Sequence, residues 1–207
     1  IRGYRQRMSA LQKSAVTEAQ CGSFFAMLAD SDRPLIYAGG GVINGNGADA
    51  LRAFASDLGI PVVTTRMGIG AVDTTHPLAM SMLGMHGAAF ANYAVDDCDL
   101  LIALGARFDD RVAGVPERFA PNAKRIVHID VDASEINKVK RVHWSHVGLL
   151  PAALEALRAH AKLAGFGRDW SAWRTHLDGL RRRHAMNYDR ESQLIQPYYV
   201  IEEINRL

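Results

Sequence analysis

Short apolar runs alternate with segments whose apolar residues recur at helical spacing, and this alternation divides the middle of the chain. The runs have the length of buried strands and lie at residues 35–38, 60–64, 100–104 and 125–129, with a weaker one at 141–147. Helices are predicted around residues 24–28, from a cap at Asn44 or Asn46 to a stop at Gly59, at 87–96 and at 151–163. Alternating strands and helices predict parallel crossovers and an α/β doubly wound domain over residues 31–163.

The two ends of the chain differ from this middle part. Residues 1–30 begin with a polar stretch and are interpreted as a linker or arm from a preceding domain. Residues 164–207 are interpreted as a linker and the start of a following domain, because residues 196–204 have the pattern of an opening helix. The sequence does not begin with Met, so we expect it to be part of a longer chain.

Composition and charge argue against several classes of function. With 24 basic and 22 acidic residues, the formal charge of +2 gives no electrostatic case for nucleic acid or a membrane surface. The basic run Arg181-Arg182-Arg183 predicts a solvated helix face, with a nucleic-acid patch as the alternative. Cys21 and Cys98 stand far apart, which predicts no disulfide framework and favours a reducing, cytoplasmic location. The sequence has no apolar run of the roughly 20 residues that a membrane span needs.

The ends of the predicted strands carry candidate binding residues, since ligands of open α/β sheets bind beyond the carboxyl ends of strands. Gly39-Gly40-Gly41 follows the first strand and predicts either close approach to a ligand or a tight turn without one. Asn44 stands where a dinucleotide fingerprint needs glycine, and Thr64-Thr65 replaces the acid that binds an NAD ribose. A nicotinamide oxidoreductase or a deacylase of this fold is therefore disfavoured. Asp130 could accept hydrogen bonds from a ribose or an adenine, or could cap a turn.

Two further motifs carry groups suited to an anionic ligand. Gly84-Met85-His86-Gly87 combines backbone freedom with a thioether and an imidazole, although Met and a lone His are more often structural. Arg107 and Arg111 are suited to bidentate binding of a pyrophosphate or a carboxylate, or are ordinary surface arginines. The adjacent Asp109-Asp110 pair would tend to diverge, which predicts orientation of these guanidiniums rather than acid–base catalysis.

Several motifs make the chain similar to one enzyme family. They are Ile36-Tyr37-Ala38-Gly39-Gly40-Gly41-Val42, Met82-Leu83-Gly84-Met85-His86-Gly87, Ala91-Asn92-Tyr93-Ala94, Gly105-Ala106-Arg107-Phe108-Asp109-Asp110-Arg111-Val112 and His128-Ile129-Asp130-Val131-Asp132. The similarity runs over residues 33–132 and is most specific over residues 83–112. At these residues the chain resembles the catalytic subunit of acetolactate synthase (acetohydroxyacid synthase), a thiamine-diphosphate enzyme.

The resemblance implies a fold and a cofactor site. In the family this region is the central of three domains, a six-stranded parallel sheet of the Rossmann-like, DHS-like NAD/FAD-binding type that binds FAD. The implied cofactor-binding residues are Gly39, Gly40, Gly41, Thr65, Leu83, Gly84, Met85, His86, Gly87, Gly105, Ala106, Arg107, Asp109, Asp130, Val131 and Gly148. Arg111 matches an arginine thought to pair with the carboxylate of the second 2-oxo acid, and Met85 matches a residue of the substrate channel. Full-length members use thiamine diphosphate and magnesium to join pyruvate to pyruvate or 2-oxobutyrate in branched-chain amino acid biosynthesis.

What the chain lacks bears on its activity. It has no GDG…N motif for the diphosphate and magnesium, and no candidate for the glutamate that activates thiamine, both of which flanking domains supply in the family. We therefore expect no catalytic residue and no activity in this chain alone. The expected partners are the flanking domains, further copies of the parent and a possible regulatory subunit. His143 and His146 lack a third ligand, so no metal site is predicted.

Two departures from the family pattern leave a rival interpretation open. Arg66 stands where the family usually has Leu, and Leu149 stands where an aspartate follows the glycine matched by Gly148. The second departure removes one flavin-contacting acid. The alternative function is a non-catalytic scaffold or dimer-interface domain of a divergent thiamine-diphosphate carboligase, with a degenerate nucleotide site.

Overall fold

Parallel strands form one sheet in the computed structural model, which describes residues 3–207. They are β1 (Pro34–Ala38), β2 (Val62–Thr64), β3 (Ala79–Met82), β4 (Leu100–Leu104), β5 (Arg125–Asp130) and β6 (Trp144–Val147). Their order is β3-β2-β1-β4-β5-β6, and each neighbouring pair is parallel. The predicted α/β doubly wound, six-stranded and Rossmann-like class is therefore confirmed. Residues 1 and 2, at the start of the predicted arm, lie outside the described residues.

Helices connect and flank these strands. They are α1 (Tyr4–Lys13), α2 (Glu18–Ala29), α3 (Gly40–Asn44), α4 (Ala48–Leu58), α5 (Ala89–Asp97), α6 (Asp110–Ala113), α7 (Leu150–Leu163), α8 (Ser171–Arg183) and α9 (Pro197–Arg206). Short 3₁₀ turns cover Arg66–Gly68, Pro116–Arg118 and Ala133–Glu135. Helices α2 and α4 pack against α7, and α5 packs against α8.

The centre of the sheet is apolar because helices cover it. Every residue of β1 and β4 is buried, as the unbroken apolar run of β4 predicts for a strand shielded on both faces. Tyr37 of β1 aligns with Ala103 of β4, which aligns with His128 of β5. Aligned residues of neighbouring strands point to the same face, so Tyr37 and His128 share one side of the sheet.

The edge strand β3 was absent from the sequence prediction, although the resemblance implied a sheet of this size. Its sequence, Ala-Met-Ser-Met, is buried only in its first half, so it lacks both an apolar run and a regular alternation. Its pairing with β2 shifts register, and Ser81 has a φ of +62°. A short, irregular edge strand shows little periodicity of apolar residues, so it was not predicted from the sequence.

The N-terminal segment is more ordered than the predicted arm suggested. Helix α2 begins at Glu18, well before the predicted residues 24–28, because Thr17 and Gln20 form a capping box. Phe24 and Leu28 of this helix are completely buried in the core. The prediction followed the apolar residues and missed the polar cap that starts the helix.

The predicted cap of α4 is wrong, whereas its predicted stop is confirmed. Gly47 occupies the N-cap position, where it has no side chain to accept a hydrogen bond, and Asn44 instead ends α3. Gly59 ends the helix with a φ of +68°, a conformation that favours glycine.

Helix α8 is only partly the solvated basic helix that its sequence predicts. Arg182 and Arg183 are exposed, but the Arg181 guanidinium donates hydrogen bonds to the carbonyls of Ala79 (2.8 Å) and Pro77 (3.3 Å). These carbonyls lie in and beside edge strand β3, whose polar backbone groups need such a partner. The basic run therefore contributes to the fold, and its contact with β3 gives no support to a nucleic-acid patch.

A buried carboxylate ties together the amino-terminal ends of the central strands. Asp99, just before β4, accepts hydrogen bonds from the Ser31 hydroxyl (2.6 Å) and from the backbone N–H groups of Asp32 and Arg33 (both 3.0 Å). Because Asp99 is 6% exposed, these donors would be left without partners if the carboxylate were removed. The sequence pattern gave no reason to single out this residue.

We predict that Asp99→Ala lowers the free energy of unfolding by about 3 kcal/mol, because three hydrogen bonds to a buried charge are lost. Asp99→Asn should lose less, since its amide oxygen replaces one acceptor. Urea unfolding followed by circular dichroism measures both. The control is Asp49→Ala at an exposed position of α4, where a surface pair with Arg52 is lost. Equal midpoints for Asp99→Ala and this control would refute the role of Asp99.

Candidate functional site

A cleft opens where the chain leaves the two central strands. In the order β3-β2-β1-β4-β5-β6, connections diverge on either side of the neighbours β1 and β4, which is the switch point where such sheets bind ligands. A cavity of about 580 Å³ lies at the carboxyl ends of these strands. Predicted site residues that line it are Gly39, Gly40, Gly41, Thr65, Gly105, Ala106, Arg107, Asp109, Arg111 and Asp130. It is also lined by Tyr37, Asn44, Arg66, Met67, Val112, Asp132 and Glu135.

The glycines of this cleft are required by contact between two backbone turns. A Cβ on Gly39 would lie 2.1 Å from the carbonyl oxygen of Gly105, and one on Gly41 would lie 2.7 Å from the Gly105 Cα. The N–H of Gly41 donates to this same oxygen (3.0 Å), and the N–H of Gly39 donates to Leu104 (2.9 Å). The sequence left two explanations for the glycine run, a tight turn or close approach to a ligand. The tight turn accounts for Gly39 and Gly41, and their lack of side chains also keeps the floor of the cleft open.

A buried aromatic residue anchors the loop that carries Arg107 and Asp109. Phe108 has a φ of +53°, an uncommon conformation for a non-glycine residue, and only 3% of it is exposed. Its ring lies 5.4 Å from that of Tyr37 and 5.3 Å from that of His128. Burial of this ring, which offsets the backbone strain, holds the two flanking charged side chains at the surface of the cleft.

The phenol of Tyr37 lies beneath this loop as a neutral group. Burial raises the pKa of Tyr37 far above its ordinary value, and the nearby Asp109 carboxylate raises it further. Because Tyr37 is almost fully buried and lines the cleft, it contributes an apolar ring and a phenol, but no charge.

Positive charge collects on the β2 and β4 side of the cleft. Arg66 follows β2, whereas Arg107 and Arg111 follow β4, and all three side chains line the cavity. Among the residues whose contacts the structure describes, Arg66 and Arg111 form no ion pair. Arg107 lies 3.4 Å from Asp109 in an exposed pair that stabilises little. Guanidiniums without partners are suited to an anionic ligand.

Negative charge collects on the opposite, β5 side. Asp130 ends β5 and accepts a hydrogen bond from the Asp132 N–H (2.9 Å), while its other oxygen lies 3.8 Å from the buried His128 ring. Glu135 bonds Lys138 through Oε1 (2.9 Å), but its Oε2 is buried without a hydrogen-bond partner among the described residues. The buried Glu135 oxygen is closed to a ligand, whereas Asp130 lines the cavity at the carboxyl end of its strand, where a carboxylate suits a ligand that donates hydrogen bonds, such as a ribose or an adenine.

The motif at residues 83–87 lies next to this cleft rather than in it. Leu83 is buried in the core, Gly84 and Met85 line a separate cavity of about 390 Å³, and His86 lines another of about 240 Å³ beside β3. The Met85 N–H donates to the Arg111 carbonyl (3.2 Å), which joins this segment to the arginine loop. The predicted flavin contacts of this motif remain predictions.

Val131 and Gly148 also lie outside the main cavity. Val131 is exposed beside Asp130. Gly148 is buried after β6, where a Cβ would lie 2.4 Å from Nε2 of His146, so a larger residue there would require the His146 ring to move. Burial lowers the pKa of His146, which keeps this ring neutral. The proposed flavin contacts of both residues stay predictions.

Comparison with known proteins identifies the family. The family model described as "Thiamine pyrophosphate enzyme, central domain" matches residues 23–157, well over half of the chain. The chain belongs to this family. It is 41% identical to acetolactate synthase 1, chloroplastic, of Nicotiana tabacum over 207 residues, which are 99% of this chain and 30% of that protein. It is 42% identical to the acetolactate synthase large subunit of Corynebacterium glutamicum over 185 residues, which are 87% of this chain and 29% of that protein.

These matches confirm that the chain resembles the central domain of acetolactate synthases. They also show that it spans about 30% of the length of the relatives it matches. Within residues 3–207, no helix of this central domain is long and apolar enough to cross a membrane. The same residues contain no group of three His, Cys, Asp or Glu side chains placed to hold a metal ion.

The second departure from the family pattern falls at a helix start in this central domain. Leu149 is the N-cap of α7, and its side chain cannot accept a hydrogen bond from the first turn. Pro151 removes one donor of that turn, which leaves the Ala152 N–H as the donor that an Asn or Asp cap reaches. Compared with the aspartate that the resemblance implies here, Leu149 therefore leaves the start of α7 without a side-chain cap.

We predict that Leu149→Asn raises the free energy of unfolding by about 0.5–1 kcal/mol, because its side chain caps α7. Leu149→Ala is the matched control, since it removes the same apolar side chain without supplying an acceptor. Thermal unfolding followed by circular dichroism distinguishes them. If Leu149→Asn were no more stable than Leu149→Ala, the N–H groups of the first turn of α7 would gain nothing from a side-chain cap.

Proposed function

We propose that this chain is the FAD-binding central domain of an acetolactate synthase. The observation that carries the proposal is the cleft at the β1–β4 switch point, with the exposed guanidiniums of Arg66, Arg107 and Arg111 on one side and the Asp130 carboxylate on the other. A dinucleotide has the matching chemistry, because its diphosphate is anionic and its ribose and adenine donate hydrogen bonds. Family membership and the relatives' names support the same reading.

Each side of the cleft has a role in this proposal. Arg107 would hold the diphosphate, for which its exposed guanidinium provides several donors. Asp130 would accept hydrogen bonds from the ribose or adenine. Gly39–Gly41 would leave room for the diphosphate to approach the sheet. The resemblance implies that FAD supplies no net redox chemistry to this enzyme class, so these residues bind and orient rather than catalyse.

The carboligation itself is proposed for the parent protein. Thiamine diphosphate and magnesium would be held by flanking domains, and the isolated chain is expected to be inactive. The parent would condense pyruvate with pyruvate or 2-oxobutyrate as a homo-oligomer, with a possible regulatory subunit. Its cytoplasmic location is also part of the proposal; the two cysteines that suggested it are both free and buried.

A second candidate function rests on the departures at Arg66 and Leu149. Here the domain is a scaffold or dimer interface of a divergent carboligase, and its nucleotide site is degenerate. Arg66 places an extra cation in the cleft, and Leu149 supplies no acid. This candidate predicts that the fold persists but FAD does not bind.

FAD binding separates the two candidates. Titration of the 207-residue chain into FAD should quench flavin fluorescence with a micromolar dissociation constant, and Asp130→Asn should weaken binding about tenfold, because a charged acceptor is lost. Asp49→Asn, at an exposed position of α4, is the control that should leave FAD binding unchanged.

A variant pair tests the missing acid. Leu149→Asp and Leu149→Asn both supply a cap to α7, but only Asp adds a carboxylate, so tighter FAD binding by Leu149→Asp alone would assign that carboxylate to the flavin. If the natural chain fails to bind at about 1 mM FAD and the double variant Arg66→Leu, Leu149→Asp binds, the degenerate site is correct.

Arg111 provides a prediction for the complete parent. Its exposed guanidinium has no ion-pair partner among the described residues, and the resemblance places it beside the acceptor substrate. We predict that Arg111→Ala raises the KM for the second 2-oxo acid at least about tenfold, because a charge-assisted hydrogen bond is lost, with partial rescue by Arg111→Lys. Steady-state kinetics with varied acceptor measure this; an unchanged KM would eliminate the contact.

A further inference from the structure

Helix α5 carries the motif Ala91-Asn92-Tyr93-Ala94, whose asparagine binds backbone groups of the segment before the helix. Ala91 and Ala94 are buried in the core, whereas Asn92 is half-buried. Oδ1 of Asn92 accepts a hydrogen bond from the Gly84 N–H (2.8 Å), and Nδ2 of Asn92 donates one to the Gly84 carbonyl (3.1 Å). Because an N–H only donates and a carbonyl only accepts, this clamp needs both groups of an amide.

The clamp fixes a tight turn. Gly84 has a φ of +104°, and its carbonyl also accepts from the Gly87 N–H (2.9 Å), which closes the turn over residues 84–87. Among the described residues, Asn92 is the only acceptor that the Gly84 N–H has. Removal of the Asn92 amide therefore breaks the hydrogen bonds that hold this turn against α5.

The same turn holds the backbone of Arg111. The Met85 N–H donates to the Arg111 carbonyl (3.2 Å), and a Cβ on Gly84 would lie 3.0 Å from this oxygen. Arg111 belongs to α6, a helix of four residues, and the last carbonyls of a helix have no partner within it. Bonds within α6 do not attach it to the rest of the domain, so the Met85 contact helps to fix where it lies.

Asn92 and the Arg111 side chain lie on opposite sides of this contact. Gly84, Met85 and Asn92 line the cavity of about 390 Å³, whereas the Arg111 side chain lines the main cleft. Val112 lines both cavities and so lies between them. The amide thus reaches the cleft only through the backbone that carries the guanidinium.

We infer that Asn92 is a positioning residue: by clamping Gly84, it keeps the Met85 N–H on the Arg111 carbonyl and holds the Arg111 side chain at the cleft. The inference rests on the proposed contact of Arg111 with the acceptor 2-oxo acid and adds the group that orients it. Asn92 itself contacts no substrate. Without the clamp, the guanidinium must be ordered when the substrate binds, which costs affinity.

Steady-state kinetics of the complete parent test this role. Asn92→Ala should raise the KM for the second 2-oxo acid about threefold, less than Arg111→Ala does, and leave kcat nearly unchanged. Asn92→Gln should restore part of the affinity, because it keeps both polar groups and its longer side chain has room in the open cavity. The matched control is Asn122→Ala: Nδ2 of Asn122 donates to the Asp96 carbonyl near the other end of α5 (2.8 Å), so its loss should leave the KM unchanged.

A double-mutant cycle distinguishes positioning from general loosening of the domain. In an Arg111→Ala background, Asn92→Ala should raise the KM no further, because a positioning residue acts only through the group that it positions. An equal increase in both backgrounds would overturn the inference, since Asn92 would then act independently of Arg111.

Hydrogen–deuterium exchange of the parent, measured by mass spectrometry, reports on the clamp without substrate. Asn92→Ala should speed exchange in peptides covering residues 83–87 and 107–113, and leave exchange in β4 unchanged, because the bonds of that buried strand do not depend on the clamp. Natural rates at residues 107–113 would contradict the inference. If Asn92→Ala fails to fold, Asn92→Asp serves instead, since it keeps the acceptor for the Gly84 N–H and loses only the donor.

The outcomes separate this inference from the proposed function. If Arg111→Ala raises the KM and Asn92→Ala does not, the positioning role is wrong and the proposed acceptor contact stands. If Arg111→Ala leaves the KM unchanged, the acceptor contact is wrong, and exchange at residues 107–113 alone decides whether Asn92 holds the Arg111 backbone.

Discussion

Contact between two backbone turns at the middle of the sheet is the constraint on which the cleft depends. The turn after β1 and the turn after β4 approach so closely that a Cβ on Gly39 would overlap the Gly105 carbonyl, and Gly105 itself has a φ of +55°. The turns are also hydrogen-bonded to each other, from the Gly41 N–H to the Gly105 oxygen (3.0 Å). The two turns pack directly against each other and carry no side chains at this contact. The space above them therefore stays open as a crevice between the diverging connections.

The charges around that crevice are positioned by neighbouring parts of the fold. Burial of the Phe108 ring holds the arginine loop, and the Thr65-capped turn holds Arg66. The acidic side belongs to the end of β5, where Asp130 is part of a hydrogen-bonded turn. Arg107 pairs with Asp109 of its own loop, but the guanidiniums after β2 and β4 are kept apart from Asp130 at the end of β5, and no ion pair between these two sides is found among the described residues. This separation is the physical basis for proposing a nucleotide with an anionic part and a hydrogen-bond-donating part.

Much of this cleft could be predicted from sequence because parallel strands end at a shared edge. Residues that directly follow β1, β4 and β5 had to lie near one another, and Gly39, Arg107 and Asp130 do line one cavity. Glu135 was missed because it lines the cavity from a 3₁₀ turn five residues beyond the end of β5, which no local pattern encodes. The segment at residues 83–87 follows edge strand β3, where Gly84, Met85 and His86 line neighbouring cavities, and its role in the flavin site stays a prediction.

By itself, the sequence determined the fold class, the central strands and the family, because apolar runs, helical spacing and contiguous motifs are local signals. Only the tertiary structure decided that Asp99 binds the backbone just before β1, that Arg181 bonds the edge strand and that Arg66 lies in the cleft with no ion-pair partner among the described residues. Each of these roles depends on groups from distant parts of the chain. Tertiary packing decides which groups donate hydrogen bonds to a buried carboxylate and whether a guanidinium has an acidic neighbour. The residues next to it in sequence do not.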